Sequence, residues 1–148
     1  MKIDHRVMVV ALNGRKMVVL RNEGDARYPA LEVVLHREAE TPRTADQGKA
    51  RPGQTTATAG TRPSALEGND LHEEEEVKFV SAATESLSRS GTSTDAKIIL
   101  LADPKSLGRF RKFCDDHLAG RIIAEIPQNV AHRTTDAIAK TVDVFEQE

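Results

Sequence analysis

Hydrophobic and polar positions fall into two rhythms along this chain. Residues 7–12, Val-Met-Val-Val-Ala-Leu, form an unbroken apolar run, the pattern of a strand covered on both faces. Asn13-Gly14 follows, a strong short signal for a tight hairpin because both residue types accept positive φ. The next run, residues 16–20, is therefore expected to return antiparallel. After the turn residues Asn22 to Asp25, the stretch Leu31-Glu32-Val33-Val34-Leu35-His36 predicts a third strand whose Glu and His mark an edge wet on one side.

The second half changes period. Asn69 or Asp70 is placed to cap a helix whose first turn holds Glu73, Glu74, Glu75 and Glu76, where the helix dipole favours negative charge. Val77, Val80, Ala83 and Leu87 then recur at helical spacing over about five turns, and Gly91 stops them. Residues 97–102, centred on Ile98-Ile99-Leu100-Leu101, read as a buried strand. Asp103-Pro104 ends it and opens a helix with Leu107, Phe110, Cys114 and Leu118 inward, closed by Gly120. A last strand at residues 121–126 precedes a helix capped by Thr134 or Thr135, with Ile138, Val142 and Phe145 facing the interior.

The predicted order is β-β-β-α-β-α-β-α. Strands that alternate with helices require parallel pairing, whereas the opening meander is antiparallel. The expected product is an α/β domain, a mixed five-stranded sheet with helices on both faces, in the element order of the ribonuclease H-like architecture. At 148 residues the chain fits one domain with one core.

Composition narrows the function classes. One Tyr, four Phe and no Trp leave few platforms for stacking bases. A net charge of -2 argues against coating nucleic acid with the whole surface, and no DNA specificity is expected. Cys114 is alone, which excludes an internal disulfide and a cysteine zinc cluster. No run approaches the roughly eighteen apolar residues of a membrane span, and the N-terminus lacks the form of a secretory signal, so the expected location is cytoplasmic.

Between the third strand and the first helix lie residues 41–64, rich in Thr, Ala, Gly and Pro and poor in core-forming side chains. A structureless connection of that length within a small domain is usually a working loop or a disordered one. Arg43, Lys49, Arg51 and Arg62 make it locally basic against Asp46 and the neighbouring Glu40. Read as ordinary solvating charge, the same residues imply nothing. A second basic group, Lys105, Arg109, Arg111 and Lys112 with Arg121, follows the buried strand, where open sheets tend to bind ligands, and is a candidate anion site. Its bland alternative is a set of side chains lying over a helix exterior.

Catalytic constellations are harder to assemble. A nuclease of the ribonuclease H-like kind needs carboxylates converging on two divalent ions, one of them from the middle of the first strand, and residues 7–12 hold none. Glu73 to Glu76 cannot converge on one ion, because successive helical residues point about 100° apart. His5, His36, His117 and His132 show no paired spacing. Asp115-Asp116 near His117 lacks a nucleophile, and Cys114 on an apolar stripe is expected to be an inert small hydrophobe. No catalytic residue, metal or cofactor is assigned.

Several segments together resemble the bacterial host-attachment protein family, named for a role in attachment to host cells. They are the strand and turn from Val7 to Gly14, Leu20-Arg21-Asn22-Glu23-Gly24-Asp25-Ala26, Asp46-Gln47-Gly48 with Arg51-Pro52-Gly53, the run from Arg62 to Glu67, and Leu101-Ala102-Asp103-Pro104-Lys105-Ser106-Leu107-Gly108. That family is in turn similar to the middle domain of the archaeal and eukaryotic class-1 peptide-release factor and of Pelota. The resemblance implies a ribonuclease H-like fold without a nuclease site, and a loop whose Gly-Gly-Gln tip in the release factor directs water at the peptidyl-tRNA ester. Here the corresponding junction reads Gly60-Thr61-Arg62-Pro63-Ser64-Ala65-Leu66. Gly60 matches a glycine and Ser64-Ala65 the pair that follows, but Arg62 and Pro63 stand where glutamine should. Pro63 removes a backbone donor and restricts Arg62. Gly53-Gln54 is a displaced Gly-Gln pair preceded by Pro52.

The leading expectation is a non-enzymatic binding module of the host-attachment family that contacts the ribosome or tRNA. Arg43, Lys49, Arg51, Gln54, Arg62 and Ser64 are its contact candidates, with Lys105, Arg109, Arg111 and Lys112 as a secondary anion site. A surface or secreted attachment factor is one alternative, and a peptidyl-tRNA or RNA hydrolase is another.

Overall fold

The structure is a computed structural model and describes residues 1–39, 65–89 and 96–145, with backbone alone for residues 65–70. Among these residues nine elements follow in order: β1 (Met8–Leu12), β2 (Lys16–Asn22), β3 (Leu31–Glu38), α1 (Ala65–Arg89), β4 (Ile98–Ala102), α2 (Pro104–Phe113), α3 (Asp116–Ala119), β5 (Ile122–Ile126) and α4 (Thr135–Val144). The sheet order is β3-β2-β1-β4-β5. β1 pairs antiparallel with β2 and parallel with β4, from Met8 opposite Ile98 to Leu12 opposite Ala102. β3 joins β2 antiparallel, with a register shift between Val19 and Leu20, and β5 joins β4 parallel. The mixed five-stranded sheet expected from the apolar runs is what forms.

Strand periodicity divides the core into two layers. Met8, Val10 and Leu12, with Ile98, Leu100 and Ala102, face α1 through Phe79, Val80, Ala83 and Leu87, and α2 and α3 through Leu107, Phe110 and Leu118. Val9, Ala11, Ile99 and Leu101 face α4 through Ile138 and Val142, together with Ile3, Val7, Val130 and Ala131. Helices thus cover both faces. β3 is the wet edge, with Val33 55% exposed.

Three local expectations are corrected. α1 begins at Ala65, so Asn69 and Asp70 lie inside it and do not cap it, and the four glutamates lie well past its first turn. Poor helix formers cost little against a 25-residue helix docked by its apolar stripe. The helix drawn from Asp103 to Gly120 is two: Cys114 is extended, and Asp115 caps α3 by accepting from Leu118 N at 2.7 Å. The side-chain cap offers the backbone an alternative to continuing the helix, and Leu118 is buried either way. At the first turn, Arg6 is the one non-glycine residue with positive φ among those described, so Asn13 does not work through positive φ. Instead its Oδ1 accepts from Arg15 N and Lys16 N, each at 2.8 Å. Asp103 and Thr134 cap α2 and α4 as their sequence positions suggest. Gly91 lies outside the described residues.

Asn22 knots the amino-terminal segment to the β2–β3 connection. Fully buried, it donates through Nδ2 to the carbonyls of Ile3 (2.7 Å), Asp4 (3.2 Å) and Asp25 (3.3 Å). Its Oδ1 accepts from Gly24 N at 2.9 Å and Ala30 N at 2.8 Å. A Cβ on Gly24 would stand 2.3 Å from the Tyr28 carbonyl oxygen, so that connection closes only around glycine. On the α4 layer the Met1 ammonium donates to the carbonyls of Val142, Asp143 and Phe145 at the end of α4.

Two stability outcomes follow from these positions. Asn22→Ala strands several buried partners and is expected to cost about 2–4 kcal/mol in urea unfolding. Gly108, inside α2 with nothing within 4 Å of the place a Cβ would take, is the reverse case: Gly108→Ala is expected to stabilise by about 0.5–1 kcal/mol.

Candidate functional site

The parallel strands β1 and β4 end together at Leu12 and Ala102, and the polar groups beyond them gather on that edge. Asn13 in the β1–β2 turn donates through Nδ2 to Asn129 Oδ1 at 3.0 Å, tying the turn to the β5–α4 loop. Gly14 lies against α1: an added Cβ would sit 2.8 Å from both Cγ and Cδ of Glu76. This close approach, not an unusual φ, is what calls for glycine. Glu76 in turn accepts from Arg109 Nη1 at 3.0 Å, and Glu73 accepts from Lys105 Nζ at 2.9 Å and lies 3.8 Å from Arg109 Nη2.

The two glutamates are three residues apart and the two cations four apart, so each pair shares one helix face and the faces meet. Glu73 and Glu76 are therefore not a purely solvated turn. Lys105, first through its hydrogen bond and then through its charge, holds the Glu73 carboxyl below the ordinary carboxylate range. α1 enters the fold at this edge and runs back along the sheet. At its far end Ser88 Oγ donates to Asp115 at 3.1 Å.

Both ends of the segment proposed from sequence as the contact element lead to the same place. β3 finishes with Glu38 opposite Lys16, and Ala39 N donates to the Arg15 carbonyl at 2.8 Å. On the other side α1 starts eight residues before Glu73, about 12 Å at the helical rise. Arg43, Lys49, Arg51, Gln54, Arg62 and Ser64 themselves lie outside the described residues.

The second basic group is regrouped. Lys105, Arg109, Arg111 and Lys112 all lie on α2, but Lys105 and Arg109 face α1 carboxylates and Arg111 is ion-paired with Glu125. The hydrogen bond to Glu125 raises the Arg111 pKa further. Arg121 does not belong with them: it is buried, its Nε donates to the Ala96 carbonyl at 2.8 Å, and it sits before β5, at the opposite end of the parallel strands. Sequence separation hid these pairings, since Glu73 and Lys105 are 32 residues apart. The signal was nonetheless present in the matching spacings of the acids and the bases.

Other candidate chemistry finds structural employment. Asp115 is the α3 cap, its pKa lowered first by the Leu118 backbone N–H and then by Ser88. Cys114 is half-buried on the edge of the core; burial raises its pKa, and the nearby Asp115, Glu125 and Asp116 raise it further. Among the described residues no three His, Cys, Asp or Glu side chains are grouped to hold a metal ion, and no helix is long and apolar enough to cross a membrane.

The sequence profile of bacterial archaeo-eukaryotic release factor family 12 matches residues 6–142. The chain belongs to that family. The match spans β1 through most of α4, so it takes in the whole edge at which the turn, α1 and α2 meet. No curated protein matches the chain. Membership in family 12 bears out the release-factor relation read from the sequence, and the Asn13-Gly14 turn, the Leu20 to Ala26 phrase and the Asp103-Pro104 cap all fall inside the matched span.

Two measurements test the α1–α2 contact of this family 12 protein. A double-mutant cycle on Glu76→Gln and Arg109→Ala is expected to give a coupling of about 0.5–1 kcal/mol, since the Arg109 side chain is only 15% exposed. Glu73 has its folded pKa depressed, so its contribution is present above the ordinary carboxylate pKa and lost as pH falls through the folded value. Glu73→Gln should accordingly lower the urea midpoint at neutral pH and leave it unchanged below that value.

Proposed function

We propose that this chain is a non-enzymatic binding module that contacts the ribosome or tRNA through the basic segment at residues 41–64, acting in the cytoplasm. The observation that carries the reading is membership in a release-factor family by a sequence without that factor's Gly-Gly-Gln tip. Arg62 and Pro63 stand where that glutamine would, while Arg43, Lys49, Arg51 and Arg62 keep the charge that a phosphate backbone attracts. The segment joins the body where β3 ends and α1 begins, both at the edge where the parallel strands finish.

The test is ribosome pelleting over a salt series. Wild type is expected to co-sediment and, with four phosphate contacts, to lose roughly a hundredfold in affinity across a fourfold rise in salt. Replacing Arg43, Lys49, Arg51 and Arg62 together with Ala should flatten that dependence and release the protein, and unchanged co-sedimentation would overturn the assignment. In parallel, peptidyl-tRNA incubated with the protein should stay intact. Ester cleavage abolished by Gln54→Ala would make the chain an enzyme.

A further inference from the structure

α2 carries four cations and no carboxylate in its ten residues. Ser106, Leu107 and Phe110 form its buried side. At about 100° per residue, Lys105, Lys112, Gly108 and Arg111 follow one another in that angular order within roughly 120° on the other side. All four are exposed. The glycine therefore lies between cations on an outward face, in a helix interior where glycine is disfavoured and where the fold leaves open space for a side chain. Nothing among the described residues calls for it. A glycine does, however, let an external backbone come to contact distance.

The ion pairs on α2 separate its cations into two kinds. The Arg109 side chain is 15% exposed and directed at Glu76, which fixes it as part of the α1–α2 contact. The Lys105 and Arg111 side chains are 64% and 62% exposed, and surface pairs of that kind exchange one anion for another at little cost. The outward face is thus three cations and the exposed Pro104 around a glycine, with Glu73 and Glu125 paired to two of the cations and no apolar cluster at its centre. A protein partner would need an apolar centre to bury, whereas a phosphate backbone needs only charge and close approach.

We infer that the outer face of α2, made by Lys105, Gly108, Arg111 and Lys112, is a contact surface for the phosphodiester backbone of RNA, with Gly108 admitting a phosphate close to the helix. The inference rests on the reading that the chain meets RNA, but it concerns a different surface from residues 41–64 and is tested apart from it.

The probe is a short fluorescent RNA duplex of generic sequence, titrated with the full chain over a KCl series, with urea midpoints measured on the same preparations. Gly108→Ala is expected to raise the urea midpoint and yet weaken duplex binding several-fold, a combination that a purely structural glycine would not give. Gly108→Glu should weaken binding about tenfold or more, and Lys105→Gln combined with Lys112→Gln should reduce the salt slope by about two. Equal binding by Gly108→Glu and wild type overturns the proposal. So does a wild-type protein that ignores the duplex. If that protein still pellets with ribosomes through residues 41–64, the broader reading stands without α2; if it does neither, both fall. Poly-glutamate bound as tightly as the duplex would replace RNA with an acidic protein as the partner of this face.

Discussion

The parallel pairing of β1 with β4 is the constraint from which the rest of the molecule follows. All ten residues of these two strands are buried, and their side chains alternate between two layers. Such a pair has no solvated face, so helices must cover it on both sides, and a parallel connection must cross over the sheet to make it. The same constraint removes chemistry from the middle of the sheet. A carboxylate in β1 or β4 would be buried without a partner, at a cost of several kcal/mol. Polar function is thereby displaced to the rim, where strands become turns and caps.

One rim collects it. Asn13, Gly14, Asp103 and Asn129 all follow the carboxyl ends of strands, and α1 brings Glu73 and Glu76 to the same place. Gly14 sets how closely α1 approaches, because its missing side chain is the room that Glu76 occupies. Arg109 then holds Glu76 from the α2 side. The rim is a layered contact in which turn, acid and base depend on one another, and β3 ends beside it, where Ala39 N donates to the Arg15 carbonyl.

The fold was legible in the sequence wherever burial alone decides. Unbroken apolar runs at residues 7–12 and 98–102 mark central strands, and the Asp103-Pro104 and Thr134 caps mark helix starts through local hydrogen bonds that need no tertiary context. Errors arose where two local signals competed. Asn69 and Asp70 look like caps, but α1 begins at Ala65, and the apolar residues that dock it are Phe79, Val80, Ala83 and Leu87, with Val77 outside that core. The spacing of Leu107, Phe110, Cys114 and Leu118 continues a helix that Asp115 interrupts, because a cap and an apolar period can coincide. The candidate site was less legible. Its pairings join residues more than 30 positions apart, and only the docked helices show that Glu73 and Glu76 are spent on Lys105 and Arg109.

That expenditure determines which charges are available to anything outside the molecule. The acidic stretch of α1 follows residues 41–64 and would repel a phosphate backbone if it were presented alone. Two of its four carboxylates are instead committed to α2, which moves negative charge into the seam between the helices. α2 has no acid of its own, and the carboxylates that meet its cations come from Glu73 and Glu76 on α1 and Glu125 on β5, leaving Lys112 exposed among them. A molecule with net charge -2 can therefore present a cationic face without a basic composition. The arrangement depends on α1 being seated, since lifting it from Gly14 would release Glu73 and Glu76 from Lys105 and Arg109. Helix docking and anion attraction are, on this surface, one property.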